Sequence, residues 1–173
     1  MRSISKPKEG EYPSYASMYI RLLPDDGLLL EHLQESFIAM KELILSLPEE
    51  KLNYRYAANN WTIKEILVHI IDDERIYAYR ALCFARNDKT RLPGFEQDDY
   101  TLTSRANERS IESILEEYKA VRDSTIALFN GLPEDAFLRM GTADNKNATV
   151  RALAYHIAGH ELHHMNIIKE KYL

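Results

Sequence analysis

The scarcity of chain-breaking residues is the feature that most limits what this sequence can fold into. Its 173 residues contain only six glycines and six prolines, and three of those prolines (Pro7, Pro13 and Pro24) fall in the first 24 residues. The rest of the chain therefore has few places to turn, and long helices are expected. Residues 1–24 are expected to form an extended N-terminal arm, and residues 25–173 a single domain. Asp25 and Asp26 suit a helix start, and Leu29, Leu33, Phe37, Met40, Ile44 and Leu47 follow at spacings of three and four until Pro48. Thr62-Ile63-Lys64-Glu65 is a capping box, and it opens a second stripe of Ile63, Ile66, Ile70, Tyr77 and Phe84. A long connection, Asn87 to Thr103, turns at Pro93-Gly94. A third helix is expected from about Asn107 to Asn130, stopped by Gly131 and Pro133, and a fourth from about Thr149 nearly to the C-terminus. No segment sustains the period-two alternation of a strand. The expectation is an all-α four-helix bundle whose long second connection argues against simple up-down-up-down order.

Composition excludes several kinds of function. The net charge of −5 leaves no basic field for a phosphate backbone, so no nucleic-acid partner is expected. The single cysteine, Cys83, cannot form an internal disulfide or a thiolate-rich zinc site, and reads as a small core hydrophobe. The first twenty residues carry no continuous apolar run, and no stretch is long enough to span a bilayer. A cytoplasmic protein with no membrane partner is expected.

The histidines carry the chemistry. On a wheel of the fourth helix with His156 at 0°, the apolar stripe centres near 70°, and His160 and His164 fall inside it at about 40° and 80°. His156 lies at the margin and His163 further out. Two imidazoles one turn apart in an apolar stripe cannot both be charged, and each needs a polar partner. A shared divalent ion satisfies both, since neutral imidazole is its natural ligand. On the second helix His69 flanks the stripe and supplies a third nitrogen, with Asp73 one turn later as its supporting carboxylate or a further ligand. Three histidines without a fourth strong donor leave a coordination position open, as in catalytic sites.

Two other metal readings fail. His160-Glu161-Leu162-His163-His164 matches the H-E-x-x-H pattern of zinc peptidases, whose third ligand usually lies downstream. After His164 there is no histidine, and Glu170 is the one carboxylate. A carboxylate-bridged two-metal bundle needs two Glu-x-x-His motifs, and only Glu161 to His164 provides one.

Three segments, Asn60-Trp61-Thr62-Ile63-Lys64-Glu65-Ile66-Leu67-Val68-His69, Asp72-Asp73-Glu74-Arg75, and His156 through His164, together resemble the DinB (YfiT-like) superfamily. The loop Pro93-Gly94-Phe95-Glu96-Gln97-Asp98-Asp99-Tyr100 is similar to that of one branch of it. The resemblance spans about residues 25 to 173. It implies a four-helix bundle of unusual connectivity, frequent homodimers, and a divalent ion (zinc or nickel) on His69, His160 and His164. Characterised relatives include metal-dependent transferases and isomerases that use a low-molecular-weight thiol. The chain departs from many relatives after the last histidine, where Met165-Asn166-Ile167 replaces Arg-Gly-Gln at the site rim or dimer contact.

The resulting expectation is a metal-dependent enzyme that transfers a group to or from a small thiol, or hydrolyses a small-molecule substrate. Asp73 or Glu161 would orient the nucleophile or take its proton. His156, Tyr77 and Arg80 would support the site or line its mouth, with the acidic loop around Asp98 and Asp99. The alternative is a non-enzymatic, dimeric stress-response bundle with a structural or incidental metal, in which Tyr12, Tyr15 and Tyr19 of the arm make the contact. In either case the apolar arc of the third helix, about 140° wide against the roughly 100° that a bundle seam needs, predicts a homodimer. Light scattering at micromolar concentration is expected to give about twice the chain mass, and a single-chain mass persisting at high concentration would rule the dimer out.

Overall fold

The computed structural model describes residues 1–173. Four long helices, α2 (Leu29–Leu45), α4 (Ile63–Ala85), α6 (Ile111–Gly131) and α7 (Val150–Lys171), form the bundle. Helix α4 packs on α6 and α7, and α2 covers the same two helices. Short helices α1 (Ser17–Ile20), α3 (Glu49–Leu52) and α5 (Gln97–Thr103) lie in the connections. No helix is long and apolar enough to cross a membrane.

Local signals set the starts of three helices. Thr62 closes the expected capping box: its Oγ1 accepts from the Glu65 amide at 3.1 Å, and Glu65 Oε2 accepts from the Thr62 amide at 2.7 Å. Thr149 caps α7 by accepting from the Ala152 amide. Ser110 caps α6, so that helix begins four residues later than the start expected at about Asn107. Asn107 instead accepts from the Thr62 hydroxyl and donates to Glu65. Helix α2 also starts later than expected. Asp26 accepts from the Leu28 amide and Asp25 from the Lys6 amide, so both aspartates serve the turn before the helix.

The short helices α1, α3 and α5 were not expected, nor was a hairpin. Met140–Ala143 (β1) and Lys146–Thr149 (β2) pair as an antiparallel hairpin, Met140 opposite Thr149. Asp144 and Asn145 at its tip both have positive φ, 50° and 58°, as a two-residue turn of this kind requires. Leu92 bridges to the hairpin beside Ala143 through Leu92 N→Thr142 O and Asp144 N→Leu92 O, both 3.0 Å. The hairpin thereby fastens the long connection that follows α4.

The N-terminal 24 residues run mostly without regular structure and lie along the bundle, burying Ile4, Ala16, Ile20 and Leu23. Gly159 in mid-α7 permits their approach, because a Cβ there would stand 2.3 Å from the Tyr19 carbonyl oxygen.

The core has two apolar clusters. One holds Leu29, Leu33, Tyr77, Phe84, Phe129 and Leu153. The other holds Phe37, Met40, Ile66, Ile70, Tyr118, Met165 and Ile168. Between them Arg122 is buried on α6. Its Nε and Nη2 donate to Glu74 of α4 at 3.0 and 2.8 Å, Nη2 pairs with Glu161 of α7 at 2.8 Å, and Nη1 donates to the Leu33 carbonyl of α2. Ser36 and Tyr118 donate to the two Glu161 oxygens. Removing one partner of such a network leaves buried charge uncompensated. Arg122→Met is therefore expected to lower unfolding free energy by about 3–5 kcal/mol in urea titration, whereas breaking the exposed Lys119–Asp123 pair leaves the midpoint near that of the unsubstituted chain. An Arg122→Met chain as stable as the unsubstituted one would show that the network does not hold the bundle.

Candidate metal centre

His69 projects from α4, and His160 and His164 from one face of α7. His160 Nε2 lies 3.0 Å from His69 Nε2 and 3.1 Å from His164 Nε2. All three side chains are buried, and their nearest nitrogens fall within 4.8 Å of one another. A neutral ring nitrogen is either a donor or an acceptor, so His160 Nε2 can make a hydrogen bond with only one of these neighbours. Charging the rings is opposed by their surroundings. Burial pushes the His160 pKa down to about 3 and lowers those of His164 and His69 as well. Three nitrogens ligating one ion at 2.0–2.1 Å with tetrahedral angles would stand about 3.3 Å apart. The donor set and its spacing therefore fit a divalent cation.

Asp73 lies one turn beyond His69 and serves the other helix. Its Oδ2 accepts from His156 Nε2 at 3.1 Å and lies 3.4 Å from His160 Nδ1. Burial works to raise the Asp73 pKa, but the imidazoles of His160 and His156 outweigh it and hold the carboxyl well below its usual range. An ionised Asp73 draws the His160 proton to Nδ1 and leaves Nε2 free to act as a ligand. His156 is thus the partner of Asp73 and stands outside the trio, with its ring stacked on Tyr77 at 3.7 Å. His163 is half-buried at the edge.

Glu161 corrects one expectation. Its oxygens are taken up by Ser36, Tyr118 and Arg122, so it serves the buried network and not the imidazoles as their proton acceptor. Cys83 lies in the apolar core, as expected.

Beside His160 opens a cleft of about 310 Å³, lined among others by Tyr15, Tyr19, Asp73, Tyr77, Arg80 and Asp98. A second cleft of about 230 Å³ reaches His164 beside Trp61, and Asp98 lines this one too. Burial and then the charge of Asp73 raise the Tyr77 pKa, which keeps it a phenol, and its hydroxyl lies 2.9 Å from that of Tyr15. The Tyr19 ring meets His156, His160 and His163 edge-on at 5.0, 5.4 and 5.4 Å. Tyr15 and Tyr19, expected to make a contact of the N-terminal arm, instead line the site. The available signal was Gly159, a glycine inside a helix, which marks close backbone approach.

The fold and the site define a class of protein: a helical bundle with three imidazoles gathered between two of its helices beneath a polar cleft. The chain belongs to the DinB superfamily, whose sequence model matches residues 32–168. A protein of Oceanobacillus iheyensis, whose name proposes a metal-dependent hydrolase, is 26% identical over 130 residues, 74% of either chain. Among solved structures, the chain is similar to YfiT from Bacillus subtilis, described as a probable metal-dependent hydrolase with an unusual four-helix bundle topology. The TM-score is 0.77 and the identity 15%, covering 96% of this chain and 91% of that one. The bundle topology is that of YfiT.

The lowered histidine pKa values set a pH dependence for the metal-free protein. Unfolded imidazoles take up protons below about pH 6.5, whereas the buried ones stay neutral. The unfolded state then binds more protons, so stability falls as pH drops from about 6.5 towards 5. Urea titrations of metal-free protein are expected to show this decline, reduced in the His160→Gln/His164→Gln chain. A flat profile over that window would contradict the burial of neutral rings.

Proposed function

We propose that this protein is a divalent-metal-dependent hydrolase of a small-molecule substrate, with His69, His160 and His164 as the metal ligands. The observation that carries this reading is the convergence of His69 Nε2 and His164 Nε2 on His160 Nε2, at 3.0 and 3.1 Å, with His160 backed by an ionised aspartate. The name of the Oceanobacillus relative and the description of YfiT support the same reading. When bound, a divalent ion supplies Lewis acidity. Asp73 holds the His160 tautomer, and Trp61, whose ring centroid is 4.7 Å from that of His69, walls the site on the second cleft's side. Glu161 is committed elsewhere, so proton acceptance falls to Asp98. That exposed carboxylate lines both clefts and favours the charged form of His69 through its own negative charge. In the transferase variant of this reading, a low-molecular-weight thiol takes the place of water as the attacking group.

Protein purified without chelator or nickel resin is expected to contain about one divalent ion per chain by elemental analysis. Alanine at His69, His160 or His164 removes it, and alanine at His163 does not. Chelation is expected to abolish hydrolysis of activated esters and amides while the helical circular dichroism signal persists. Asp98→Asn lowers turnover without changing metal content. Metal content unaffected by all three ligand substitutions would sink the assignment. Activity that appears only when a thiol and an electrophile are both supplied would favour the transferase.

A further inference from the structure

Three cationic side chains are buried in this protein: Lys64, Arg80 and Arg122. Lys64 pairs with Glu49, and Arg122 with Glu74 and Glu161. Arg80, 5% exposed, pairs with no carboxylate. Its one hydrogen bond runs from Nη2 to the Pro93 carbonyl at 2.9 Å. Its guanidinium lies 4.9 Å from the Tyr77 ring centroid and 5.9 Å from that of Phe95, so aromatic surface and a loop carbonyl fix its position. The side chain lines the cleft that holds His160. A buried guanidinium without a counter-charge is unfavourable by itself, and its free donors match the geometry of a carboxylate or phosphate. None of the acidic residues nearby forms an ion pair with Arg80, although Asp144 lies close enough to feel its charge. Asp73 is engaged by histidines, Asp144 by Lys146, and Glu96 and Asp98 are exposed and form no ion pair with Arg80.

We propose that Arg80 binds the anionic group of the substrate, so that the substrate class is a small molecule bearing a carboxylate or phosphate away from its reacting bond. This rests on the reading of the histidines as the reaction centre. Helix geometry limits the size of the molecule. Arg80 stands eleven residues after His69 on α4, about 16 Å along the axis, and long helical side chains lean back towards the N-terminus, here towards Tyr77 and the histidines. The anion and the reacting bond are then separated by roughly 10 Å or less.

Isothermal titration calorimetry on metal-free protein, with inorganic phosphate and with acetate in low-salt buffer, tests this without any assay of activity. The unsubstituted protein is expected to bind at least one of them saturably, and the tighter of the two indicates the substrate's group. Arg80→Gln, which keeps a donor for Pro93 but loses the charge, is expected to bind at least tenfold more weakly. Equal binding by Arg80→Gln, or binding of neither anion by the unsubstituted chain, would overturn the proposal. Should Arg80→Gln fail to fold, the arginine Nε–Hε resonances of the unsubstituted protein decide: one that moves saturably with phosphate supports the proposal, and none moving refutes it. His164→Gln separates this inference from the reading it rests on. Phosphate binding retained in that chain and lost in Arg80→Gln places the anion site at Arg80 whether or not the metal assignment holds. Phosphate that binds only to metal-loaded protein, and equally in Arg80→Gln, leaves the metal assignment standing and removes this one.

Discussion

Arg122 is held by all four long helices at once, and the geometry of the site follows from that arrangement. Glu74 of α4 and Glu161 of α7 face it, with Ser36 and the Leu33 carbonyl of α2 and Tyr118 of its own helix completing the layer. Consecutive residues of a helix project about 100° apart. With Glu74 and Glu161 turned towards Arg122, their preceding neighbours Asp73 and His160 are turned towards each other across the α4–α7 seam. His69 and His164, one turn before and one turn after that pair, converge on His160. A mid-level charge cluster between two apolar clusters therefore sets the rotation of both ligand-bearing helices. Purely apolar seams tolerate rotation and repacking far more readily.

Around that frame, the remaining elements shape access. The hairpin ties down Leu92, and Leu92 in turn places Pro93 over Arg80. The tip of the hairpin carries Asp144, which sits so close to Gly94 that a Cβ there would come within 2.5 Å of its carboxylate. Outside α4 and α7 the cleft is thus walled by the N-terminal segment, the connection after α4 and the hairpin, whereas the nitrogen ligands all lie on helices packed in the core. Rigid elements hold the reactive atoms and loops shape what reaches them.

Much of this was legible in the sequence. The capping box at Thr62 and the four stripes gave the bundle, because helix caps and 3.6-residue periodicity act locally. The trio of histidines was readable because His160 and His164 sit inside an apolar stripe, where an unpartnered imidazole has no bland explanation. The rest depended on contacts between distant residues. Asp25 and Asp26 have the chemistry of caps but bond one turn early. The hairpin was missed because its strands are four residues long and its signal is the Asp144-Asn145 pair alone. Glu161 lay on the edge of a stripe, and its commitment to Arg122 was hidden in another helix. There Arg122 falls at about 20° on the wheel, inside the α6 stripe that runs from about 260° to 40°, and was the cue to a buried ion pair.

Gly159 links the N-terminal segment to this frame, since its missing side chain lets the Tyr19 backbone lie on α7 and brings that ring against three histidines. The superfamily's sequence model matches from residue 32, after Tyr15 and Tyr19, whereas the structural match to YfiT takes in 96% of the chain. The ligands lie within the matched sequence region, and a segment that is itself part of the core supplies one wall of the chamber. Any side chain at position 159 would push the Tyr19 backbone off α7 and open the chamber on that side.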